Sequence, residues 1–161
     1  GKAVLYWGSG WNWINGHCYA AELNEEMSGF KSEIVEVTPT HYFEGPLMVK
    51  HDSKYYLTYS EGKTMDDTYE VRYAVGDTPF GPFTEAENSP ILKTAEELHV
   101  YRPGHHTVFS FKGQHYILYH RHRLPSEICT DYRQKCINEL HFVDAKQKIN
   151  CPLYPSDASD E

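Results

Sequence analysis

The sequence has no Cys-x-x-Cys pair, no Asn-x-Ser/Thr site, and no apolar run near the roughly 18 residues that a membrane span needs. The first absence argues against a zinc ribbon. The second leaves the compartment open, secreted or cytoplasmic. The third argues against a membrane partner. Cations are also scarce. Fifteen Lys and Arg face 23 Asp and Glu, for a net charge of −8, so nucleic acid is an unsuitable partner. Helical periodicity is nearly missing, and only TAEELH (94–99) reads as a single helical turn. The chain does not begin with Met, so a missing signal peptide carries no information. Four cysteines stand at Cys18, Cys129, Cys136 and Cys151. Four allow three full pairings. Buried free thiols are the simpler reading, and a Cys129–Cys136 link across the last loop is the other.

Aromatic residues, by contrast, are plentiful. They make up 14% of the chain, with 13 Tyr and 3 Trp, which suits both packed β-structure and sugar binding. They also recur in order. GKAVLYWGSG, SKYYLTYSEG and GQHYILYHRH begin at Gly1, Ser53 and Gly113, in steps of 52 and 60 residues. Each anchor is followed by an alternating aromatic strand. EGPLMVKHD leads into Ser53 and GHHTVFSFK leads into Gly113, each from nine residues upstream. CYAAEL, YEVRYAVG and CINELHFV follow downstream. Each unit thus reads as strand, turn, strand, long loop, strand, and the first unit starts in its middle.

Strand repeats of this length predict an all-β fold, a five-bladed β-propeller of which this chain supplies roughly the last three blades. At roughly 55 residues per blade, a five-bladed ring needs on the order of 275 residues. The chain is therefore expected to be the C-terminal portion of a larger protein. The missing N-terminal blades, or a second chain, would close the ring. The expected blades lie near 1–38, 39–98 and 99–154, with a flexible acidic tail at 155–161. Strands are expected at Val4–Trp7, Tyr19–Leu23, Ser32–Val37, Leu47–Lys50, Tyr55–Tyr59, Tyr69–Val75, Thr107–Phe111, Tyr116–His120 and Ile137–Val143. DTPFGPFTEAENSP, with three Pro, reads as loop.

Glu44 is the sharpest candidate for chemistry. It precedes Gly-Pro at the start of a blade, where inner strands meet a central channel. Burial beside Tyr42 and Phe43 is expected to raise its pKa, as a general acid requires. At the equivalent point of the next blade stands PGHHTVF. There Glu44 aligns with Gly104, and His105 follows on the same channel-facing edge. His105 suits a sugar hydroxyl or a water held on a central metal ion, while His106 points the other way. Arg133 enters the last blade's third strand, and its planar guanidinium suits vicinal sugar hydroxyls. Arg121, with His120 in HRHR, is a further substrate contact. Trp7 is read as core. Trp11 and Trp13, on a glycine-rich loop, are candidates to stack on sugar rings. Asp66 and Asp67 are poor candidates for a base, because their loop is exposed.

Taken in order, VLYWGSG, AAELNEEM, EGPLMVKHDSKYYLTYS, GHHTVF and YRQKCINELHF resemble glycoside hydrolase family 43 over almost the whole chain. The resemblance implies a five-bladed propeller that hydrolyses xylosides or arabinosides of plant cell-wall polysaccharide with inversion. It implies Glu44 as the general acid and oligo- or polysaccharide as the partner. It also implies Arg133, nine residues before Phe142, in contact with the sugar. His105 becomes a channel residue linked through water to calcium. The family's base and a second orienting Asp belong to earlier blades, and both fall before this chain starts. YRPGHH departs from the family by placing Arg-Pro where small residues are usual. The isolated 161 residues are expected to be inactive. A non-catalytic carbohydrate-binding half-propeller and a kelch-like interaction propeller remain the alternatives.

Overall fold

The computed structural model describes residues 1–11, 15–122, 133–143 and 148–153. They form eleven strands: β1 (Val4–Trp7), β2 (Tyr19–Glu22), β3 (Val35–Glu36), β4 (Glu44–His51), β5 (Lys54–Glu61), β6 (Glu70–Gly76), β7 (Thr84–Glu85), β8 (Tyr101–Phe111), β9 (Gln114–His122), β10 (Arg133–Val143) and β11 (Lys148–Asn150). All pairings are antiparallel between chain neighbours. The sheets run β1-β2-β3, β4-β5-β6-β7 and β8-β9-β10-β11. The first sheet's strands match the second to fourth strands of the other two. Such meanders, stacked face to face with β4 beside β8, are consecutive blades of a β-propeller.

The middle sheet is buried on both faces. Along β5, Tyr56 enters one core, with Val71, Tyr73, Ile117, Tyr119, Leu140 and Ile149. The next residue, Leu57, enters the other core together with Tyr59, Ala74, Ala20 and Cys18. Successive side chains on a strand point to opposite faces, so a strand apolar at adjacent positions requires cover on both sides. Seven tyrosines among the described residues are buried, so much of the tyrosine content goes to packing. Several of their hydroxyls are paired: Tyr42 donates to the Gly8 carbonyl, Tyr59 to that of Thr40, and Tyr119 to Asn138 Oδ1. On the outer faces, Leu5 of the first sheet and Phe109, Phe111, Leu118 and Ile137 of the third stay exposed.

The inner strands are irregular. Glu44 pairs with Ser60 and Leu47 with Thr58, so Gly45 and Pro46 together oppose Tyr59. Gly45 takes φ +64°, the left-handed geometry that such a bulge requires. In β8, Gly104 pairs with His120 and Thr107 with Leu118, the same register displaced by 60 residues. Here His105 holds the bulge position at φ +48°. Arg102, at φ +51°, begins a second bulge just before it.

Three sequence expectations need correction. The proline-rich stretch contains β7, and β11 follows β10, so the complete blades have four strands where three were expected. Both added strands are only two or three residues long, too short for an alternating pattern. The Ser32–Val37 strand shrinks to Val35–Glu36. Trp7 is not core. It is half-buried and stacks on Phe30, which is itself half-exposed. The turn in TAEELH does form, as the 3-10 helix Glu96–Leu98.

A buried tyrosine hydroxyl helps join the two complete blades. Tyr73 donates to Asn88 Oδ1 and accepts from the Ile149 amide at 3.0 Å, while Asn88 Nδ2 donates to the Ile149 carbonyl at 2.7 Å. Tyr73→Phe leaves the buried Ile149 amide and Asn88 Oδ1 without this partner and is expected to cost about 1–3 kcal/mol. Denaturant unfolding measures this. A midpoint that does not move would show that water replaces the hydroxyl.

Candidate active site

The first bulge aims Glu44 at the seam between the middle and third sheets. There the Tyr69 hydroxyl donates to Glu44 Oε1 at 2.7 Å. His105 Nδ1 lies 3.6 Å from the same oxygen. Neither contact uses Oε2, which carries no hydrogen bond from any described residue. The backbone amide of His105 donates to Ser60 Oγ at 3.0 Å, fixing the second bulge against the first. His120 stacks flat on Tyr69, with centroids 5.8 Å apart, and its ring lies 6.3 Å from that of His105. Arg133 Nη1 then donates to His120 Nε2 at 3.2 Å. Four strands and the residue just before β6 thus bring Glu44, Tyr69, His105, His120 and Arg133 together.

The electrostatics overturn one expectation. The Glu44 carboxyl lies below its ordinary pKa of 4.5, not above it. His105 is the leading cause, and the Tyr69 hydrogen bond adds to it. Half-burial raises the value but is outweighed. Tyr42 and Phe43 are buried as expected, but Tyr42 spends its hydroxyl on Gly8. In return, Glu44 raises the His105 pKa above 6.5. His120 goes the other way. Burial and the adjacent Arg133 guanidinium lower it to about 4, so it is neutral and accepts from the arginine.

Other expected residues lie elsewhere. Arg121 alternates to the face opposite His120 and donates to the His99 carbonyl at 3.1 Å, outside this cluster. Trp11 is 89% exposed on the loop after β1, and Trp13 lies outside the described residues. His106 points away from Glu44 and is buried, with Nε2 2.7 Å from Thr58 Oγ1. Asp67 accepts from Arg102 Nε at 3.1 Å and Asp66 from Thr68, so neither meets Glu44. Cys18, Cys136 and Cys151 are free thiols, and Cys129 lies outside the described residues.

Tyr69 is the residue that sequence reading missed. Its signal was indirect: it follows the turn opposite the Glu44 end of the hairpin, where Ser60 pairs with Val71. The position of His120, across from Gly104, follows from the 60-residue alignment. Calcium takes about six to eight oxygen ligands. No three His, Cys, Asp or Glu side chains among the described residues converge to hold a metal.

The family model described as Glycosyl hydrolases family 43 matches residues 1–146, and the chain belongs to that family. It is 37% identical over 146 residues to Beta-D-galactofuranosidase xynD of Aspergillus niger, covering 90% of this chain and 41% of that protein. It is 38% identical over 143 residues to a Xylosidase/arabinosidase of Bacteroides ovatus, covering 80% and 40%. Among solved structures it is similar to a thermostable family-43 glycoside hydrolase, with a TM-score of 0.84 at 25% identity, covering 98% of this chain and 56% of that one. The fold is thus part of a five-bladed propeller, and the chain spans about two-fifths the length of these two curated relatives.

The adjacent histidines give opposite pH dependence. Burial holds His106 down at about 3, so below pH 6.5 the unfolded chain takes up a proton that the folded chain refuses. That costs stability as pH falls from 6.5. His105, raised above 6.5, adds stability below 6.5 that is lost as pH rises through its folded value. His106→Gln is therefore expected to shrink the fall in melting temperature between pH 7 and pH 5, and His105→Gln to enlarge it. Thermal melts at both pH values check this. Equal falls in both variants would contradict the assigned environments.

Proposed function

We propose that this chain supplies the acid side of an inverting glycosidase acting on xylosides or arabinosides of plant cell-wall polysaccharide. One observation carries the reading. The Glu44 carboxylate is held through Oε1 at the inner edge of a blade, with Oε2 open. When protonated, Oε2 gives its proton to the leaving glycosidic oxygen as the bond to the anomeric carbon breaks. A carboxylate on the opposite face takes a proton from water, and the water oxygen attacks that carbon with inversion. Two such groups stand roughly 6.5–9.5 Å apart, leaving room for the water. Asp66 and Asp67 are already paired with Thr68 and Arg102, so the base is proposed to come from outside the described residues. Further blades would cover the exposed outer faces of the first and third sheets.

Arg133 and His105 are proposed to meet the sugar hydroxyls, and Trp11 to offer an indole face at the rim. Trp13 and Arg121 lack support from the geometry described. The relatives named for xylosides, arabinosides and galactofuranosides support a glycoside substrate. A carboxyl held below 4.5 is a poor acid at neutral pH. A carboxylate brought near it by another blade would raise its pKa, since like charges disfavour ionisation. Without such a carboxylate, the same geometry favours a second reading, non-catalytic carbohydrate binding.

In the full-length protein, Glu44→Gln is expected to lower kcat about 10²–10⁴-fold on oligosaccharides. The loss is expected to be smaller on aryl glycosides whose leaving groups need little protonation. Steady-state kinetics on both substrate classes check this. Equal losses would remove Glu44 from the acid role, and unchanged sugar binding without turnover in the parent protein would favour the second reading.

A further inference from the structure

Gly104 and Tyr69 fit together more closely than any other glycine and side chain described. A Cβ built on Gly104 would lie 2.0 Å from Tyr69 Cε1 and 2.4 Å from Cδ1, well inside contact distance. Gly104 has no left-handed backbone to accommodate, so its missing side chain serves this approach alone. The His120 imidazole, paired across the strand from Gly104, lies parallel to the Tyr69 ring. The ring is 1% exposed and packs against both of these neighbours. Its hydroxyl is the closest donor to Glu44.

We infer that Tyr69, seated on Gly104, is a positioning residue for the proposed acid: it fixes the Glu44 carboxyl through Oε1 and so leaves Oε2 to face the leaving oxygen. This rests on Glu44 as the acid. Two physical effects follow. A carboxyl with one oxygen tethered has fewer rotamers to lose on reaching the reactive geometry. A phenol donating to the carboxylate also favours its ionised form, so Tyr69 moderates how readily Glu44 takes up its proton. Other groups facing Glu44 act on the same equilibrium. His105 from β8 favours the carboxylate most, and His120 from β9 does so weakly. Arg133 from β10 reaches the cluster through His120. Tyr69 differs in being uncharged and buried, with its own proton held far above neutral pH by desolvation. Its contact therefore persists across the working pH range, whereas that of His105 changes with protonation.

The test uses Tyr69→Phe, which keeps the ring and its packing, and Gly104→Ala, which keeps the hydroxyl but displaces the ring. In the full-length protein both are expected to lower kcat about 10-fold on poor leaving groups, with KM little changed. Both are expected to move the basic limb of the kcat/KM profile upward by up to about one pH unit, because the carboxyl loses a donor. A mere packing role would lower activity equally for all leaving groups and leave the limb in place, and that result would overturn the inference. Carbon-13 NMR titration of the Glu44 carboxyl reads the same link without turnover. Its midpoint is expected to rise in Tyr69→Phe, and an unmoved midpoint would overturn the inference even if activity fell. If Glu44→Gln keeps the basic limb while Tyr69→Phe still raises the carboxyl midpoint, the acid assignment fails and the contact between the two residues stands.

Discussion

Tyr56 and Leu57 are neighbours on β5, point to opposite faces, and are both removed from water. That constraint organises the chain. A sheet with two apolar faces is stable only between two others, so the middle blade depends on the first and third. Tyr73 shows how this dependence is made specific, because its hydroxyl joins β6 to β11 inside the seam. The same stacking sets β4 beside β8. Glu44 and His105 meet there because two blades pack, not because of any local sequence signal. The catalytic proposal and the stability of the seam therefore share one cause.

Charge balance at that meeting point is narrow. Half-burial drives Glu44 toward its neutral form, while Tyr69 and His105 drive it toward the carboxylate, and the donors prevail. Burial, and after it the neighbouring Arg133 guanidinium, keeps His120 neutral, so it serves as an acceptor. The cluster thus holds one anion, one imidazole that readily takes a proton, and one that resists it. A further carboxylate arriving from another blade would shift this balance directly.

The sequence made the repeat legible because burial on both faces writes dense aromatic runs, and because hairpins keep a fixed offset. Glu44 was visible for the same reason: it precedes the Gly45-Pro46 bulge at a blade boundary. The short outer strands were not legible. Thr84–Glu85 and Lys148–Asn150 form by pairing with a neighbour and carry no pattern of their own. The sign of the Glu44 shift was also hidden. Tyr42 and Phe43 are its chain neighbours, but the groups that decide its ionisation are 25 and 61 residues away in sequence. Arg121 stands apart from the cluster for a simpler reason. Strand alternation assigns His120 and Arg121 to opposite faces, and only one face can look toward Glu44.

The bulge position at Gly45 is occupied by His105 sixty residues later, in matching register. A ring of identical blades would offer the same side chain from every direction, and a symmetric site cannot give a proton on one side and accept one on the other. Here the backbone template is preserved while the residues written on it diverge. One blade contributes a carboxylate followed by bare backbone. The next contributes bare backbone followed by an imidazole. Such complementary edits let neighbouring copies of one motif take different roles toward a single bound molecule, and they turn rotational symmetry into polarity while the register around this bulge is kept.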